Sequence, residues 1–152
     1  MKKDGSVIAW GRSESGGSLS IATPWDHHGD IIYNYSYVDQ SLSSNVTAIY
    51  SNYKSFAALK KDGSVVTWGE AYLGGDSSDL ASALSSNVTH IYSNAYAYAA
   101  LKKDGSVVTW GFIESGGNSS EIAEKLSSNV TAIYSNRDAF AALKKDGSVV
   151  TW

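Results

Sequence analysis

The chain has 152 residues, 43% of them apolar, with 12 basic and 15 acidic side chains giving a formal charge of −3. That length and balance fit one compact domain with a buried core, exclude a disordered chain, and supply no bulk attraction to nucleic acid or an anionic membrane. Cysteine is absent, so disulfide and thiolate chemistry are excluded, and no run approaches the roughly 18 apolar residues of a membrane span.

The chain opens on KKDGSVIAW at Lys2–Trp10. Its two lysines are not followed by an apolar stretch, so the segment does not read as a signal peptide, and the compartment stays open. The same phrase closes the chain as KKDGSVVTW at Lys144–Trp152. Between the ends, Asp62, Asp104 and Asp146 begin Asp-Gly pairs 42 residues apart, and SSNVT recurs at Ser43, Ser85 and Ser127 with the same spacing. Asp4 precedes Asp62 by one such interval plus 16 residues. A fixed period near 40 residues is the mark of a repeat architecture.

Residues 1–11 read as an orphan last strand and 12–42 as a linker carrying an insertion. Three full units follow at 43–69, 85–110 and 127–152. The insertion, SIATPWDHHGDIIYNYSYVDQ, holds the only proline, Pro24, together with Trp25 and the aromatic run Tyr33, Tyr35, Tyr37. Ile31–Val38 alternates loosely enough to form an added strand, and these aromatics make the insert a candidate contact surface. Asp26, His27, His28 and Asp30 are metal-ligating residue types, but adjacent histidines seldom share one ion and no distant third ligand accompanies them. His90 falls in a strand where its equivalents are Ala48 and Ala132, so no metal or other cofactor is expected.

Within a unit, NVTAIYSN (Asn45–Asn52) alternates as a strand does. FAALKK (Phe56–Lys61) is a short apolar run expected of a strand covered on both faces. Asp62-Gly63 predicts a two-residue type I′ hairpin turn, and SVVTW (Ser64–Trp68) returns as a β-branched and aromatic strand. In the following Gly/Ser-rich segment, SSDLASAL reads either as one helical turn capped by Ser78 or as an extended return. Three strands cannot bury both their faces alone, so the units must stack. The period and the Trp-Gly closing each last strand indicate β-propeller blades, an all-β fold.

NVTAIYSNYKSFAALKKDGSVVTWGEAYLGG resembles the repeat of the regulator of chromosome condensation family: V-x-x-I, then A-L-x-x-D-G-x-V, then W-G and a further glycine. The short period is most similar to the bacterial branch with β-lactamase-inhibitory propellers, whose blades have three strands. The resemblance spans Asn45–Trp152 and Lys2–Gly11, and implies a propeller. The chain departs from it at Asn52, Asn94 and Asn136, where the family usually has Gly, and at Ser55, Ala97 and Ala139, where His is frequent. Gly74-Gly75 and Gly116-Gly117 stand for its usual Gly-Gln, and no particular partner of the family carries over.

Three blades do not close a flat ring, and an orphan strand bearing Val7, Ile8 and Trp10 would leave an exposed edge. The expectation is self-association into a ring or a head-to-tail array, with Val7, Ile8, Trp10, Val149, Val150 and Trp152 at the assembly edge, or else that the chain is a piece of a longer propeller. Residues that vary between repeats fall on one rim and include Tyr53, Tyr72, Tyr96, Phe112 and Arg137. Together with Trp25, Tyr33, Tyr35 and Tyr37 they are the candidate binding residues, for another protein or, alternatively, a glycan; neutral drift in exposed loops is the plainer account. The opposite rim carries the Lys-Lys-Asp turns, read as solvated strand ends that discourage edge pairing. The periodic Tyr50, Tyr92, Tyr134 and the tryptophans Trp10, Trp68, Trp110, Trp152 read as packing between blades. No nucleophile elbow or phosphate loop occurs, so an enzyme is not expected. The Asn-x-Thr sequons at Asn45, Asn87 and Asn129 matter only in a secreted eukaryotic setting.

Overall fold

In the computed structural model, residues 1–19, 21–23, 32–34 and 40–152 are described. The alternating and apolar runs form the expected strands, and each unit is an antiparallel three-stranded meander. The first is β3 (Val46–Ser51), β4 (Ser55–Lys60) and β5 (Val65–Glu70). The second is β6 (Val88–Ser93), β7 (Ala97–Lys102) and β8 (Val107–Gly111). The third is β9 (Val130–Ser135), β10 (Phe140–Lys144) and β11 (Val149–Thr151). The insertion contributes two short strands, β1 (Ile21–Thr23) and β2 (Ile32–Asn34), which pair with each other. Strand β1 also pairs parallel to β5, widening the first sheet to the order β2-β1-β5-β4-β3. The added strand expected at Ile31–Val38 is therefore present as β2, in a hairpin with β1. This is a blade-based all-β propeller fold.

The blades stack through their faces. One side of the first blade (Ala57, Leu59) meets Val88, Ile91, Tyr98, Ala100 and Trp110 of the second. Ala97, Ala99 and Leu101 of the second meet Val130, Ile133, Phe140 and Ala142 of the third in the same way. A leucine from each connecting segment plugs the gap between faces: Leu42, Leu84 and Leu126 are 0–2% exposed. Within a blade an aromatic of the second strand stacks on the tryptophan of the third, Phe56 on Trp68, Tyr98 on Trp110 and Phe140 on Trp152, with centroids 5.2–5.4 Å apart. The indole N–H of each donates to a glycine carbonyl in the preceding connection, Gly16, Gly74 or Gly116, at 3.1–3.2 Å. These glycines have φ of +78°, +94° and +85°, and a Cβ on Gly74 would come within 2.8 Å of the Tyr98 ring. The tight double-glycine turn is thus required both by its left-handed backbone and by the ring beneath it.

The Asp-Gly turn differs from the expected type I′. Gly63 has φ +80°, but Asp62 is not among the positive-φ residues. Gly63 donates to Lys60 O and Lys60 to Ser64 O, both at 2.9 Å. This is a type I turn closed by a left-handed glycine. The reason is the Asp62 carboxylate, which accepts from the Ser64 N–H and hydroxyl at 2.9 and 2.7 Å and holds the turn from one side. The helical turn in SSDLASAL is Ser78–Leu80, and Ser78 lies inside it, where its N–H donates to Asp76 rather than its hydroxyl capping the turn.

Two further expectations are corrected. Lys2–Trp10 forms no strand. Val7 donates to Leu42 O and Val46 to Gly5 O, as Val65 and Val88 do in the next joint to Leu84 O and Gly63 O. The segment therefore sits where a preceding blade's third strand belongs, and no strand among the described residues pairs with it. The lysine pairs are also not simply solvated. The side chain of Lys60 donates to Ser41 O at 2.5 Å and that of Lys102 to Ala83 O at 2.7 Å, while Lys144 reaches Lys125 O and Ser128 O, tying each hairpin to its connecting segment.

Candidate functional site: an aromatic rim and two unequal ends

The rim opposite the Asp-Gly turns is shaped by asparagines. Asn52 Oδ1 accepts from the N–H groups of Lys54 and Ser55, while its Nδ2 donates to Leu73 O at 2.6 Å. Asn94 does the same with Tyr96, Ala97 and Ser115 O. Asn136 repeats the turn with Asp138 and Ala139. Each asparagine thus fixes the loop between first and second strands, and Asn52 and Asn94 also link it to the exit of the third. Sequence reading passed over this role; the signal was an Asn at period 42, three residues before the second strand.

Neighbouring loops are joined by Tyr53 N–H to Ala95 O and Ala95 N–H to Arg137 O, at 3.0 and 3.1 Å. The first strands lie side by side, with Ser93 Oγ donating to Ser51 O and Ser135 Oγ to Ser93 O at 2.9 and 2.8 Å. This geometry gathers five of the sequence-predicted residues into one continuous patch. Tyr53 lies 6.3 Å from Tyr96, Tyr96 6.3 Å from Phe112, and Phe112 5.3 Å from Tyr72, ring centroid to centroid. Arg137 donates to the Tyr96 hydroxyl at 2.8 Å and lies 5.7 Å from its ring. Tyr53 and Tyr72 are 73% and 62% exposed, and Ile113 beside them 65%. The Arg137–Asp138 pair at 4.0 Å is solvent-exposed and screened by water, so it adds little to stability. Tyr33 lies in β2, while Trp25, Tyr35, Tyr37 and the His27-His28 pair fall outside the described residues.

The two ends of the stack differ from its inner joints. On the last blade, Tyr134 and Val149 are 62% and 61% exposed, whereas their equivalents Tyr50, Tyr92, Val65 and Val107 are half-buried. Ala141 and Leu143 are half-buried, but Ala57 and Ala99 are at 0% and Leu59 and Leu101 at 7–8%. At the other end Val7 is buried in a cluster with Leu42, Val46, Ala58, Val66 and Trp68. Ile8 and Trp10 stand 54% and 83% exposed beside a hollow of about 220 Å³ lined also by Ile49, Phe56 and Trp68. Of the expected assembly residues, Ile8, Trp10 and Val149 are open, while Val150 and Trp152 pack inward toward the second blade. The periodic-packing expectation holds for Trp68 and Trp110, at 2% and 4% exposure, and fails for Trp10, at 83%.

No protein-family model matches the chain, and no curated protein matches it. Among solved structures, human WBSCR16 is similar with a TM-score of 0.56 at 18% identity, over 100% of this chain and 44% of that one. The computationally designed Ika4 protein gives 0.44 at 19% identity, over 82% of this chain and 72% of its own. The designed Ika8 protein gives 0.41 at 20% identity, over 82% and 36%. The likeness to WBSCR16 concerns the fold alone, and this chain spans less than half of that structure's length.

Proposed function

We propose that the chain is a non-enzymatic, self-associating propeller-blade scaffold whose copies join end to end and display the aromatic rim to a protein partner. The resemblance of its repeats to the regulator of chromosome condensation pattern belongs to the same reading. The observation that carries it is the contrast between the open outer face of the third blade and the sealed equivalent faces of the first two. The complementary surface, the Val46, Ile49, Phe56 and Trp68 face of the first blade, lies at the other end of the same chain. In the joint, β10 of one copy pairs with Lys2–Trp10 of the next, which takes the place of Lys144–Trp152 beside β10. Lys2–Trp10 and Lys144–Trp152 are near-copies because either can serve as third strand there. In that place Trp10 would stack on Phe140 as Trp152 does. The test is native mass by light scattering over a wide concentration range. Wild type should exceed 16.2 kDa, and Tyr134→Arg, on the exposed face, should return it to the monomer. A wild-type monomer at every concentration refutes the proposal.

A further inference from the structure

Strand β1 occupies a defined place in the first blade. It lies parallel to β5, with Ile21 opposite Gly69 and Ala22 opposite Glu70. There it touches the short turns Ser13–Ser15 and Ala71–Leu73 that flank the strand. The second blade has the same edge and the same flanking turns, Ala71–Leu73 and Ile113–Ser115, but the chain between its β5 and β6 carries no insertion to fill the space. What remains is a groove of about 720 Å³ floored by Val107–Gly111 and walled by Tyr72, Asp76, Asp79 and Ser119.

The edge at the floor of this groove is competent to pair. Phe140 and Trp152 exchange backbone hydrogen bonds at 2.8 and 3.1 Å, and Tyr98 and Trp110 are the equivalent opposed pair in the second blade. Backbone groups alternate along an antiparallel strand, so Val107, Thr109 and Gly111 turn their N–H and C=O toward the groove. An unpaired edge of this kind accepts an added strand through its main chain, with alternate side chains deciding which strand it takes.

We propose that the β8 groove is a strand-acceptor site that binds an extended peptide in the register β1 takes on the first blade, parallel to the chain at Gly111 and Phe112. The occupant is a short segment with a small, β-branched, uncharged centre and basic flanks. The centre follows from Ile21-Ala22-Thr23, the strand that takes this place on the first blade. The basic flanks follow from Asp76 and Asp79, since the groove's lining holds no lysine or arginine. Position 76 is matched by Ser18 in the first blade, so the acidic wall belongs to the second groove. The groove borders the aromatic rim at Tyr72 and the blade faces at Val108 and Trp110, and the proposal stands whether or not the chain self-associates.

The probe is a synthetic Lys-Ser-Ile-Ala-Thr-Lys peptide added to the full chain, followed by amide NMR and hydrogen exchange. Binding should shift the amides of Thr109–Phe112 and slow exchange at Thr109. A spin label on the peptide's N-terminus should broaden Thr109 more than Phe112, as parallel pairing in the register of β1 requires. Thr109→Pro removes one outward N–H at an edge position that tolerates proline, and should weaken binding at least tenfold. Asp76→Asn with Asp79→Asn should weaken it severalfold and flatten its salt dependence. Shifts confined to Tyr53 and Tyr96, a label broadening Phe112 first, or no response at millimolar peptide would overturn the proposal. The wild-type map decides even if Thr109→Pro fails to fold.

Discussion

Tyr98→Phe, Ser55→Ala and their combination test how the first two blades meet. Tyr98 is fully buried in the second blade, and its hydroxyl donates to Ser55 O at 2.7 Å and lies 3.1 Å from Ser55 Oγ. In the next joint the same two places hold Phe140 and Ala97, an apolar pair that packs equally well. Each single change should cost about 1 kcal/mol, the net worth of a hydrogen bond between neutral groups. Neither leaves a stranded acceptor. Ser55 O keeps the Asn52 N–H, and Leu73 O keeps Asn52 Nδ2. The double variant recreates the Ala97–Phe140 solution, so it should be less destabilised than the sum of the singles by on the order of 1 kcal/mol. The assay is urea unfolding followed by tryptophan fluorescence at one fixed protein concentration. Single variants should also melt about 2–4 °C below wild type, as expected for a domain of this size. Additivity within a few tenths of a kcal/mol would mean that the hydroxyls do not meet and that the stacking register is wrong.

Three further outcomes follow from the same geometry. Leu84→Ala empties a site that is 2% exposed between two blades and should cost about 2–5 kcal/mol in the same unfolding assay. Gly116→Ala places a Cβ 2.8 Å from the Phe140 ring at φ +85°, and should cost more than about 1 kcal/mol, with reduced Phe140–Trp152 near-ultraviolet dichroism. Asp62, Asp104 and Asp146 are held below the ordinary carboxylate value of 3.8, chiefly by the hydroxyl and then the N–H of Ser64, Ser106 and Ser148. A depressed native value contributes stability above pH 3.8 that is lost as pH falls through the native value, so urea midpoints should decline below about pH 4. Converting all three aspartates to asparagine should flatten that decline.

The strands and their stacking were legible because the 42-residue period aligned every β-branched and aromatic position three times over. The turn type was not, because Asp-Gly is compatible with two turns and the choice rests on the Asp62–Ser64 hydrogen bonds, which a dipeptide count ignores. The leucine plugs were missed because Leu42, Leu84 and Leu126 sit in Ser-rich connections whose composition reads as loop; only their period marks them as core. The Lys60 and Lys102 contacts were missed for a similar reason, since a lysine's charge speaks for solvent while its reach allows it to tie down a carbonyl. At the rim, variability between repeats singled out Tyr53, Tyr72, Tyr96, Phe112 and Arg137. It could not tell that the hydrogen bonds between adjacent loops bring them into one patch. The N-terminal segment shows the limit of local pattern: KKDGSVIAW has a strand's sequence, yet strand formation depends on a pairing neighbour, and no described strand pairs with it.

The proposed joint between copies can be tested most directly by disulfide trapping, because the wild-type chain has no cysteine. Inside the molecule Ser93 Oγ reaches Ser51 O, and Ser135 Oγ reaches Ser93 O. In an end-to-end joint of the same register, Ser51 of one copy meets Ser135 of the next. Ser51→Cys with Ser135→Cys, oxidised at high concentration and run on a denaturing non-reducing gel, should give a ladder in steps of 16.2 kDa. Ser51→Cys with Ser93→Cys should close within one chain and report that the chemistry works. A ladder that collapses on reduction supports the blade-to-blade joint. Monomer alone, with the internal control crosslinked, would contradict it.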